Sequence, residues 1–101
     1  MSALDVLADP TRRRIVEVLA DGELNAGAIA SRFDISRPAI SQHLGILVEG
    51  GVLNVQSRGT QRIYRLTPSA LSEAGDWLSA QAERWNRALD SLEEALDQGD
   101  V

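Results

Sequence analysis

Between Ser36 and Leu47 the chain reads Ser-Arg-Pro-Ala-Ile-Ser-Gln-His-Leu-Gly-Ile-Leu. The polar residues of this stretch suit recognition better than catalysis. Gln42 can pair with an adenine edge, Ser41 with several base edges, and Arg37 with guanine or a phosphate. Ile40, Leu44, Leu47 and Val48 recur at 3.6-residue spacing, which predicts one apolar stripe along a helix. Arg37, Ala39, Ser41 and Gln42 occupy the opposite face and its flanks, with no carboxylate before Glu49. Ser36 is a good N-cap, because its hydroxyl can accept a hydrogen bond from a first-turn N–H. Pro38 falls in the first turn, where a missing N–H matters little, and Gly50-Gly51 ends the helix. Such a helix fits a DNA major groove. The same pattern also describes an ordinary amphipathic surface helix, so its neighbours must decide.

The segments before it supply the first half of that context. Ser2 to Ala8 read as a short capped helix with Leu4, Leu7 and Ala8 on one face. Asp9-Pro10 starts a second helix, an acidic cap followed by proline at the first helical position. It runs to about Ala20 with Ile15, Val16 and Leu19 inward, and Gly22 stops it. Arg12, Arg13 and Arg14 in its first turn form a solvated face from which one could reach a phosphate. Asn25 caps a third helix from Ala26 to Phe33, and only Asp34-Ile35 separates it from Ser36. Two short helices joined by a tight turn, the second polar on its outer face, make a helix-turn-helix.

After Gly51 the period changes from 3.6 to 2. Leu53, Val55 and Ser57 alternate with Asn54 and Gln56. Arg58-Gly59-Thr60 is a turn, and Arg62, Tyr64 and Leu66 alternate with Gln61, Ile63 and Arg65. This predicts a β-hairpin, with Tyr64 and Leu66 in the core. Arg58 and Arg62 sit at or beside its tip, where they could enter a minor groove or straddle phosphates. Thr67-Pro68 repeats the cap-then-proline start, and one long helix follows to about Asp97, with Gln98 to Val101 expected to fray. Leu71, Leu78, Trp85 and Leu92 fall seven apart, and Gly75, Ala82, Leu89 and Leu96 form a parallel row. Such a seam exceeds what a chain of 101 residues needs to bury. It predicts a homodimer through Leu4, Leu7, Leu71, Leu78, Trp85, Leu89 and Leu92. The less demanding reading is a contact between two helices of one chain.

Charge sharpens the assignment. The net charge is −5, yet residues 1–34, 35–67 and 68–101 carry −2, +3 and −6. The basic segment is the one holding the candidate recognition helix and hairpin. Every basic side chain is Arg, which suits bidentate contacts to phosphate or guanine. With one His, no Cys and no nucleophile–base pair or phosphate-cradling glycine loop, no enzymatic chemistry is expected. Thiolate metal sites are excluded, and neither cofactor nor metal is expected. No apolar run is long enough to span a bilayer and no signal-peptide pattern opens the chain, so a cytoplasmic protein is expected.

Three passages, in order, carry a family resemblance: Ala8-Asp9-Pro10-Thr11-Arg12-Arg13-Arg14-Ile15, Ser36 to Leu47, and Gly59-Thr60-Gln61-Arg62-Ile63-Tyr64-Arg65-Leu66-Thr67-Pro68. The chain resembles the ArsR/SmtB family of dimeric bacterial repressors over nearly its whole length. The resemblance implies a mainly α fold with a small β-hairpin, a winged helix-turn-helix of order α-α-α-α-β-β-α. It also implies a single domain over 1–101, with residues 10–67 as DNA-binding core and wing, and 2–8 and 68–97 as dimerisation helices. The implied partners are double-stranded DNA, as a palindromic operator often in the protein's own promoter, and a second copy of the chain. Family contacts carried over to this sequence fall on Ser36, Arg37, Ser41, Gln42 and His43 of the recognition helix, and on Arg58 and Arg62 of the wing. His43 could equally touch a phosphate or a neighbouring helix. Gly45 stands where the family commonly has Lys or Arg, which removes one backbone contact. The family's Cys-x-Cys region reads Glu23-Leu24-Asn25-Ala26-Gly27 here, and the last helix has no histidine. This places the chain with members that do not sense metals; some of those sense another ligand and others simply repress themselves. The competing reading is a winged-helix protein-interaction module without sequence-specific DNA binding, favoured by the negative charge and Gly45.

Overall fold

The computed structural model describes residues 2–99. The chain divides into two compact units, Met1–Leu71 and Ser72–Val101. In the first, α1 (Ala3–Val6) and α2 (Pro10–Val18) follow one another, and a 3₁₀ turn (Leu19–Asp21) ends α2 at Gly22. Ser2 and Asp5 form a reciprocal capping box on α1. Asp9 caps α2 by accepting from the Arg12 N–H at 3.1 Å. The helix-turn-helix is α3 (Ala26–Ala30) and α4 (Arg37–Glu49). Asn25 caps α3 through its Oδ1, 2.7 Å from Ala28 N. Expected to reach Phe33, α3 stops at Ala30 and passes into a turn over Ser31 and Arg32, while Phe33 still packs against the core.

The wing is the hairpin β2 (Leu53–Arg58) and β3 (Gln61–Leu66). Arg58 pairs with Gln61, so the turn is two residues, Gly59-Thr60, and Arg58 belongs to the strand rather than to the turn. One strand escapes the sequence pattern. Leu24–Asn25 form β1, antiparallel to β3 with Leu24 opposite Tyr64 and Asn25 opposite Ile63, giving the sheet order β1-β3-β2. Two residues cannot show a period of 2, and their pairing partner lies some forty positions away; only the closed fold makes them a strand.

The core of this unit joins Val6, Ile15, Leu19, Ile29, Ile40, Leu44, Leu47, Val52, Leu53 and Tyr64. Fully burying a side chain of the Leu or Ile class contributes about 1.5–3 kcal/mol. Gly50 is dictated by packing, because a Cβ there would stand 2.4 Å from Val6 Cγ2. Gly51 has φ +76°, which turns the chain out of α4 toward β2. The last helix, α5, runs from Pro68 to Gly99, past the expected end near Asp97. Residues 100–101 of the segment expected to fray lie outside the described residues. Among the described residues, no helix is long and apolar enough to cross a membrane.

Candidate nucleic-acid interface

The interface begins with the division of α4 into two faces. Ile40, Leu44 and Leu47 are at most 1% exposed. Ser41 and Gln42, with Ser36 and Arg37 at the helix start, are exposed. Burial of the apolar stripe therefore fixes the rotation of α4 and holds Ser41 and Gln42 outward. The Ser36 Oγ accepts from Ala39 N at 3.2 Å, so this hydroxyl fixes the helix start as well as lying on the presented face. Gly45 is exposed, and nothing lies within 4 Å of where its Cβ would be.

His43 is turned toward α2. Its Nδ1 lies 3.5 Å from Arg12 Nη1 and 4.0 Å from the Asp9 carboxylate. A guanidinium only donates, so Nδ1 accepts in the Arg12 contact. Arg12 also donates through Nε to the Val6 carbonyl at 2.7 Å. Of the three arginines at the start of α2, this one ties α1, α2 and α4 together, whereas Arg13 and Arg14 are exposed. The hydrogen bond from Arg12 N holds the Asp9 carboxyl below the usual carboxylate range, and the charge of Arg12 acts in the same sense.

The two wing arginines differ. Arg58 makes a two-pronged ion pair with Glu23, at 2.5 and 3.3 Å, which fastens the end of β2 to the segment before β1. Glu23 went unnoticed as a partner because 35 positions separate it from Arg58. Arg62 and Arg37 instead line one cleft between the wing and the start of α3.

The side chains expected at a subunit contact fall into two groups. Leu4, Leu7 and Leu71 are half-buried, and Leu7 and Leu71 pack on the core of their own chain. In the second unit Leu78, Trp85, Leu89 and Leu92 are exposed, as are Leu96 and Trp77. Counting by sevens passes over Trp77; plotting the helix surface would have found it at the edge of the same stripe. Among the described residues, no three His, Cys, Asp or Glu side chains gather as a metal site.

Comparison with known proteins agrees with this geometry. Residues 7–56 match the helix-turn-helix domain family. An HTH-type transcriptional regulator of Mycobacterium tuberculosis is 41% identical over 96 residues, covering 94% of this chain and 86% of the relative. The crystal structure of a possible transcriptional regulator for arsenical resistance is similar with a TM-score of 0.75 at 40% identity, covering 79% of this chain and 83% of that one. An ArsR family transcriptional regulator gives a TM-score of 0.74 at 28% identity, over 82% of this chain and 91% of that one. The chain belongs to the ArsR family of winged helix-turn-helix transcriptional regulators, which bind DNA and are not enzymes.

Proposed function

We propose that the protein is a homodimeric repressor that binds a palindromic operator, including one upstream of its own reading frame, and acts in the cytoplasm. The observation that carries the reading is the two-faced α4, buried on Ile40, Leu44 and Leu47 and exposed at Arg37, Ser41 and Gln42. Ser36, Ser41 and Gln42 enter the major groove, and Arg58 and Arg62 take the flanking backbone or minor groove. His43 acts from behind, bracing α4 on α2 through Arg12 and Asp9. A second copy covers the α5 stripe together with α1 and sets the two recognition helices for the two half-sites. The residues 10–67 form the DNA-binding part, and 2–8 and 68–97 the dimerisation part. Repression does not depend on a metal.

Fluorescence anisotropy on the DNA upstream of the reading frame tests this, with random duplex as competitor, at two salt concentrations and with or without zinc. Selective, salt-sensitive binding that ignores zinc is the expected result. Gln42→Ala should lose about 1–3 kcal/mol on the operator and little on random duplex. Equal losses on both would remove Gln42 from base reading.

A further inference from the structure

We propose that the cleft between α3, α4 and the wing is a seat for a single phosphate group, gripped by Arg37 and Arg62 together. The proposal rests on the DNA-binding reading above and changes the part that Arg37 plays in it. The cleft has a volume of about 390 Å³ and is lined by Asn25, Ala26 and Gly27 at the start of α3, by Arg37, and by Thr60, Gln61 and Arg62 of the wing. Two arginines, the first residue of α4 and one of β3, line it, and no Asp or Glu does.

Three observations point to a phosphate rather than to a base edge. First, Arg37 folds back over the start of α3: a Cβ on Gly27 would stand 3.7 Å from its Nη2. It therefore lies beside the recognition helix rather than on the face that carries Ser41 and Gln42. Second, neither Arg37 nor Arg62 has an ion-pair partner among the described residues, although Arg58 on the same hairpin is paired with Glu23. Two unpaired like charges on one cleft repel each other, and an anion between them reverses the sign of that interaction. Third, the remaining lining is neutral and offers side-chain donors, the Thr60 hydroxyl and the Gln61 amide, which suit a phosphate's oxygens. A phosphate held there locks the wing and the helix-turn-helix in one register on the duplex without reading sequence.

The test uses random duplex, so that it does not depend on locating the operator. On B-DNA each neutralised phosphate contributes about 0.9 to the slope of log K against log salt. Arg37→Ala and Arg62→Ala should weaken random and operator duplex by the same factor. The double variant should lower the slope by about 0.9 for each bound protomer, about 1.8 for the dimer, because both side chains of a protomer serve one phosphate. Gly27→Asp places a carboxylate beside Arg37; an acid in the first turn of a helix favours its dipole, so the fold is kept while binding to both duplexes falls. A drop of about 1.8 per protomer, about 3.6 for the dimer, overturns the shared seat, and an operator-only loss for Arg37→Ala makes Arg37 a base reader. Failure of wild-type selectivity alone would count against the repressor reading and leave the slope test intact. If wild type binds no duplex at low salt, inorganic pyrophosphate followed by amide NMR separates the sources. Saturable shifts at Gly27 and Arg62, lost in the double variant, assign the cleft to a free phosphoanion, and no shifts overturn it.

Discussion

The apolar stripes of α4 and α5 follow the same helical spacing, and within one chain they end differently. In α4 the stripe closes against α2, α3 and the sheet, and Leu44 is 1% exposed. In α5 it stays open: Trp85 is 68% exposed, Leu96 63% and Leu92 54%. Periodicity states only that a face is apolar; the number of elements available to cover it decides whether the cover comes from the same chain. Helix α4 has 13 residues and sits among several short elements. Helix α5 has 32 residues and is therefore about 48 Å long. Large contiguous apolar surface on a protein in water marks an interaction site, and in the proposed homodimer a second α5 covers it.

Cutting each stripe should have a different consequence. Leu44→Ala removes a buried side chain and should cost about 2–5 kcal/mol of folding stability, read by urea denaturation. A cost below about 1 kcal/mol would mean that α4 is not held by its stripe. Trp85→Ala should leave folding of the isolated chain unchanged and weaken the dimer by about 2 kcal/mol or more, roughly 30-fold in Kd. Sedimentation equilibrium checks this. A variant still wholly dimeric at low concentration would break the contrast between the two helices.

The same contrast explains what could be read in advance. Helices α2, α4 and α5 and the hairpin were legible because each carries many residues of one period, and the three helices have a cap-type residue and a proline at their start. The exposed face of α4 was legible for the same reason, since locating Ile40 and Leu44 locates Ser41 and Gln42. Relations between distant positions were not. Strand β1 exists only through its pairing with β3, Arg58 meets Glu23 across 35 positions, and Arg37 and Arg62 come to line one cleft only once the wing folds beside α3. Of His43 the sequence left two options, phosphate or neighbouring helix. In the folded chain its Nδ1 faces Arg12 and Asp9.

The starts of α4 and α5 extend the comparison to weaker forces. Both look alike in sequence, a hydroxyl residue shortly before a proline. At α4 the expectation holds, with Ser36 Oγ bonded to Ala39 N. Ser36→Ala should cost about 1 kcal/mol of stability in chemical denaturation. No change would mean that Pro38 and the buried stripe suffice to start the helix.

At α5 the expected side-chain cap is not formed. Thr67 donates its N–H to the Val52 carbonyl at 2.9 Å, and its carbonyl receives Leu71 N at 3.5 Å. Its Oγ1, however, is buried without a hydrogen-bond partner. The backbone of Thr67 thus starts the helix while the hydroxyl opposes burial, since an unsatisfied buried polar group costs about 1–3 kcal/mol. Thr67→Val keeps the branched shape and removes that group. It should leave stability unchanged or raise it by about 1 kcal/mol, the smallest effect of the series and the only one without a loss. A loss above about 1 kcal/mol would show that the hydroxyl is bonded in solution. Then α5 would begin as α4 does, and the two helices would differ only in what covers their stripes.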